Sequence, residues 1–167
     1  MLRHVHGPAV AGFVMLIGCA PPAPAPRLFQ LGERAQVGRL IYNVFEARWL
    51  TQAGEGETAR RPSQRFLVLR MTVVNGGSEA ATMPTLGLID EAGEQYTELM
   101  DGSGIEGWLG FIRKVRPADT LDGRVVFDVP LKSYKLRVED PADPQTAALV
   151  DLPLRFDSPV TAPAPAR

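Results

Sequence analysis

Residues 66–77 read FLVLRMTVVNGG, and their alternation decides the fold. Leu67, Leu69, Met71 and Val73 fall on one face at period two, while the other face changes from Phe66 and Val68 to Arg70 and Thr72. A period of two with β-branched enrichment, closed by Asn75-Gly76-Gly77, predicts a β-strand ending in a turn. Apolar residues on both faces of its first half place this strand centrally.

Working upstream, Ile41, Phe45, Ala47 and Trp49 alternate with Tyr42, Val44, Glu46 and Arg48, which predicts a second strand in which Asn43 interrupts the apolar face. Downstream, strands are expected over residues 86–90, 94–98, 109–113, 121–129, 134–138 and 148–156, each bounded by Gly, Pro, Asp or Asn. In the 121–129 segment Leu121, Val125, Phe127 and Val129 share a face opposite Arg124, Val126 and Asp128, and Pro130 ends it because proline cannot donate to a ladder. Many short strands with no long helical stripe predict an all-β, immunoglobulin-like antiparallel β-sandwich over residues 28–157.

The order of these elements, FLVLRMTVVNGGSEAATMPTLGLIDEAGEQYTEL followed by VRPADTLDGRVVFDVPLKSYKLRVED, resembles a family of bacterial envelope domains of unknown function. These are immunoglobulin-like sandwiches related to the mycobacterial immunoprotective extracellular antigen. The positions that carry the resemblance are Asn75, Asp90, Gly93, Gly123, Val125, Phe127, Val129 and Pro130, within about Phe66 to Asp140. Ala118 departs from it, standing where the family often has glycine, so the turn after Pro117 is expected to differ. The resemblance implies a fold and an envelope location, and it carries no catalytic set.

The amino-terminal segment is of another kind. MLRHVHGP holds Arg3, the apolar run 9–17 follows, and no further charge comes before Arg27. An apolar core of about 7–15 residues suits an export signal, whereas a membrane-spanning helix needs about 20. The run ends in Leu16-Ile17-Gly18-Cys19, which resembles a lipobox: Leu16, Ile17 and Gly18 would be recognised by the lipoprotein signal peptidase, and Cys19 would take the lipid on sulfur. The expected organisation is a signal peptide over 1–18, then a lipidated cysteine and Pro/Ala linker over 19–27. Residues 20–26, APPAPAP, cannot sustain a helix and should extend as polyproline II. At about 3.1 Å per residue they would space the domain roughly 20 Å from the acyl chains. Residues 158–167 repeat this character as an expected flexible tail.

Composition then excludes chemistry. The 167-residue chain has one cysteine and two histidines, and the histidines, His4 and His6, lie in the expected signal. The expected mature domain therefore has no thiol and no imidazole, which removes Cys/His zinc sites, cysteine nucleophiles and histidine-based triads. With 18 Lys+Arg against 19 Asp+Glu there is no basic field for nucleic acid. Carboxylates at Asp90, Glu91, Glu94, Asp101, Asp119, Asp122 and Asp128 could be drawn into a glycosidase pair or a calcium site. Each also fits a turn or a polar lead-in to a strand, as in the hairpin sequence Asp90-Glu91-Ala92-Gly93.

The remaining candidate is the loop DGSGIEGWLGFIRK, residues 101–114. Trp108, Phe111, Arg113 and Lys114 put aromatics beside cations, a composition suited to a protein or glycan surface. Trp108 fits equally as a lid folded back on the edge of the sandwich. These readings together describe a non-enzymatic interaction or accessory module, with no cofactor, anchored to a lipid bilayer through Cys19. It would face an envelope protein or glycan, at the periplasmic face of the outer membrane in a two-membrane host. Two rivals are a small-ligand- or metal-binding lipoprotein, which requires a concave pocket with convergent polar groups, and a carboxylate-dependent glycan enzyme.

Overall fold

The computed structural model describes residues 25–154. The strands are β1 (Arg27–Phe29), β2 (Arg34–Val37), β3 (Leu40–Leu50), β4 (Arg65–Asn75), β5 (Ala81–Thr82), β6 (Gly87–Ile89), β7 (Gln95–Thr97), β8 (Lys114–Val115), β9 (Thr120–Val129), β10 (Tyr134–Asp140) and β11 (Asp143–Leu152). One sheet runs β1-β11-β10-β6-β7, a second runs β2-β3-β4-β9, and β5 and β8 pair separately. All pairings are antiparallel except β1 with β11. The fold is an all-β sandwich. Taking β3, β4, β6, β7, β9, β10 and β11 as A, B, C, C′, E, F and G, the sheets reproduce the A-B-E and G-F-C order of immunoglobulin sandwiches, without a D strand.

Burial follows the alternation of residues 66–77. Leu67, Leu69, Met71 and Val73 of β4 lie in the inter-sheet core with Val125, Phe127 and Val129 of β9 and Leu136 and Val138 of β10. The reverse face of β4 is buried at its start only, where Phe66 and Val68 join Val126, Ala53 and Ile105 in a second, smaller cluster. Tyr134 opens β10 and donates its hydroxyl to the Pro130 carbonyl at 2.8 Å, the corner device that pins this connection in immunoglobulin sandwiches.

In β3 the observed face differs from the expected one. Leu40, Tyr42 and Val44 are buried, and Ala47 and Trp49 pack on the same core. The pairing with β4 shifts between Val44 and Glu46. This β-bulge inserts Phe45, which turns outward and is 45% exposed. One extra residue inverts the alternation, so the first half of β3 buries the residues opposite to those a uniform period selects. The two- to four-residue strands β1, β2, β5 and β8 are not expected from the sequence, being too short to show a period, and β1 begins at Arg27, inside the expected linker. Residues 109–113 form no strand: Gly107 and Gly110 take φ of 67° and 74°, which breaks the extended run, and regular pairing resumes only at β8.

Among the described residues Ala118 is the one non-glycine residue with positive φ, at 60°, and its N–H donates to the Asn75 carbonyl at 2.9 Å. The left-handed region costs an L-residue roughly 1–2 kcal/mol, and glycine gives back part of that gain through unfolded-chain entropy. Ala118→Gly is therefore expected to stabilise the domain by about 0.5–1 kcal/mol, read as a higher urea midpoint at unchanged slope. At the β6–β7 hairpin, Asp90 Oδ1 accepts the N–H groups of Ala92 and Glu94, both at 2.9 Å, and Oδ2 receives the Lys132 ammonium and the Tyr96 hydroxyl. The Lys132 hydrogen bond, helped by those two N–H groups and opposed by burial, holds the Asp90 carboxyl below the usual carboxylate range. A lowered folded-state value means stability that is complete above the unfolded value of about 3.9 and is lost as pH falls through the folded one. Asp90→Asn should flatten that acid-side loss, so that wild type and variant converge in urea midpoint between pH 7 and pH 3.

Candidate functional site

A D strand would lie beside β9. Residues 99–113 take that place as an irregular strap. Leu99 N–H donates to the Val126 carbonyl (2.8 Å), Arg124 N–H to the Gly107 carbonyl (2.8 Å) and Leu109 N–H to the Arg124 carbonyl (2.9 Å), with a parallel bridge between Trp108 and Arg124. The strap thus satisfies a sheet edge that would otherwise be open to pairing with another chain. Its close approach depends on Gly123, where a Cβ would stand 2.5 Å from the Gly107 carbonyl oxygen, and on Gly102, where one would stand 2.3 Å from the Trp108 ring.

The structure divides the four sequence-proposed residues. Trp108 is half-buried against the smaller cluster, with its Nε1 buried and without a partner among the described residues. It packs back on the sheet edge as a lid. Arg113 is a correction: its side chain is 1% exposed and pairs with an equally buried Glu98. Glu98 Oε1 also accepts the Leu86 N–H at 2.7 Å, and the Met83 N–H donates to the Arg113 carbonyl at 2.8 Å. Arg113 ties the strap to the segments flanking β5, β6 and β7 and is unavailable to a partner. Phe111 and Lys114 face outward.

Around Phe111 the surface is apolar. Phe111, Leu99 and Met100 line an open groove of about 500 Å³ that also touches Thr97 and Glu98. Arg60 closes one end, donating to Asp101 Oδ2 and to the Asp101 carbonyl, both at 2.9 Å. Met100 is 69% exposed and Ile112 88%. Sequence reading missed both. The available signal was the alternation in Phe111-Ile112-Arg113-Lys114-Val115, which runs against hydropathy: isoleucine faces water while arginine is interior. A charge inside is costly unless paired, and the partner, Glu98, is remote in sequence.

Of the candidate carboxylates, Asp90, Asp101, Asp119 and Asp128 are engaged structurally. Asp101 Oδ1 accepts the N–H and hydroxyl of Ser103, Asp128 accepts the N–H groups of Ser63 and Gln64 at 2.6 and 2.8 Å, and Asp119 pairs with Arg116. Leu16, Ile17, Gly18 and Cys19, with the tail 158–167, lie outside the described residues.

Residues 29–146 match the family described as a domain of unknown function, DUF4352. The chain belongs to that family. Three solved structures share the fold of this DUF4352 protein. The yjhA protein from Bacillus subtilis aligns at 16% identity over 74% of this chain and 98% of its own, with a TM-score of 0.59. The ycdA protein from the same species, provisionally described as a lipoprotein, aligns at 13% identity over 74% of this chain and 39% of its own, with a TM-score of 0.55. The secreted protein MPT63 from Mycobacterium tuberculosis aligns at 16% over 77% and 98%, with a TM-score of 0.51. A comparison with curated proteins returns no match. At these identities the likeness is one of fold, and it extends to a secreted protein and a provisional lipoprotein.

Proposed function

We propose that this DUF4352 domain is a lipid-anchored, extracytoplasmic interaction module of the bacterial cell envelope, non-enzymatic, and related to the mycobacterial immunoprotective antigen by fold. The observation that carries the reading is the inverted placement at 111–113: a buried Arg113–Glu98 pair holds the strap while Phe111 and Ile112, with Met100 nearby, are presented to solvent. Apolar surface left in water forgoes about 25 cal/mol per Å², and clustered apolar exposure on a rigid support marks an interaction site. Support for the anchor comes from the Leu16-Ile17-Gly18-Cys19 sequence. An anchor confines the domain beside its partners, so that a weak contact suffices through effective concentration.

The test uses the full chain in cells. A photo-cross-linker at Ile112 should trap a discrete envelope protein that the same group at Glu33, on the β1–β2 turn, does not. Cys19→Ser should abolish palmitate incorporation and release the protein from the membrane fraction. Identical adducts from both positions would remove the interaction surface, and membrane retention of the serine form would remove the anchor.

A further inference from the structure

The outer face of the β2-β3-β4-β9 sheet carries a second feature, independent of the apolar groove. In register across three strands stand Glu46 of β3, Arg70 of β4 and Arg124 of β9. Arg70 and Arg124 are directly opposed like charges, an arrangement that destabilises a sheet unless something neutralises it. The neighbouring carboxylates do little of that. Glu46 Oε1 is taken by Arg48 Nη2 at 2.8 Å, and Asp122 reaches Arg70 only at 3.8 Å. Arg124 gives Nη1 to the Glu106 carbonyl oxygen at 2.6 Å, which holds its guanidinium in place.

Beside these arginines, residues 104–106 of the strap border a half-open cavity of about 160 Å³. Arg48, Arg70 and Arg124 line it together with the apolar Leu50, Val68 and Ile105. Glu46 and Glu106 also border it, so two of the three arginine charges are offset within the lining and the one left over favours an occupant with a single negative charge. Volume, apolar lining and three bordering arginines select one chemistry: a small monoanionic carboxylate bearing a compact apolar group. Guanidinium matches carboxylate bidentately, and the apolar part is desolvated against Val68 and Ile105.

We infer that this cavity is a binding site for a small organic carboxylate, either a free acid or the carboxyl terminus of a short peptide. The carboxylate bridges Arg70 and Arg124 and relieves their mutual repulsion, while the adjoining hydrocarbon fills the space over Leu50 and Val68.

Titration of the ¹⁵N-labelled full-length protein with benzoate, benzamide, acetyl-Ala-Ala and acetyl-Ala-Ala-amide tests this. Benzoate is expected to shift the amides of Arg48, Arg70, Ile105 and Arg124 at millimolar concentration, weakening with added salt, and benzamide is not. Response to acetyl-Ala-Ala but not its amide identifies peptide termini as the source; response to benzoate alone identifies free acids. Arg70→Gln should weaken benzoate at least about tenfold without lowering the melting temperature of the free protein, since it removes a like-charge pair. Arg48→Gln serves if that variant does not fold. Equal shifts with benzamide, no response to either carboxylate, or unchanged affinity in the folded variant would overturn the assignment.

Discussion

Glu98→Ala is expected to cost the folded domain about 3–5 kcal/mol, because it leaves Arg113 as an unpaired charge in the interior. The pair is 1% exposed on both sides, and Arg113 is already short of partners, with Nε and Nη1 unbonded among the described residues. Removing Glu98 also strands the Leu86 N–H that donates to it. Against a typical total of about 5–15 kcal/mol, such a loss is a large fraction of the stability. Urea denaturation should show a sharply lowered midpoint, and hydrogen exchange should show the strap 99–113 losing protection. The double replacement Glu98→Leu, Arg113→Met should recover most of the loss, since apolar substitutes for a whole buried pair are often neutral or stabilising. If the single variant matches wild type, the pair does not hold the strap, and the ledge at Met100, Phe111 and Ile112 loses its rigid support.

The second large effect is expected at Asn75. Its side chain is fully buried, donating Nδ2 to the carbonyls of Glu79 (2.7 Å) and Val115 (2.9 Å) and accepting the Gly77 N–H at 2.9 Å. One amide thereby joins the end of β4 to the turn beyond it and to β8. Asn75→Asp keeps the shape and inverts the chemistry, aiming a carboxylate at two carbonyl oxygens. At pH 7 we expect a loss of at least about 3 kcal/mol, from two abolished hydrogen bonds and an unpaired buried charge. The introduced acid would have a raised folded-state value, so protonation favours folding and the deficit narrows as pH falls toward the unfolded value of about 3.9. Asn75→Ala, which has no charge to neutralise, should lose stability without that recovery. Parallel pH profiles for the two variants would contradict the assigned hydrogen bonds.

Asn75 also shows how far a local reading reaches. Asn75-Gly76-Gly77 identifies a turn, and a turn is there, but the asparagine serves as an interior bracket to residues up to 40 positions away. Nothing local to the turn specifies those partners. Likewise Gly102 and Gly123 look like loop and strand glycines, whereas their absent side chains make room for the Trp108 ring and the strap.

By itself the sequence determined the all-β class, the central strand with its two buried faces, the hairpin at Asp90 and the exclusion of thiol and imidazole chemistry from residues after Cys19. These rest on period, composition and turn residues, which act over a few neighbouring positions. Only the tertiary structure decided that Phe45 is bulged out, that residues 99–113 form a strap along the edge of β9, that Arg113 lies inside and Ile112 outside, and that three arginines line one cavity. Each of those outcomes depends on which distant residue supplies a counter-charge, a hydrogen-bond partner or free space, and such partners are chosen by the packing of the two sheets.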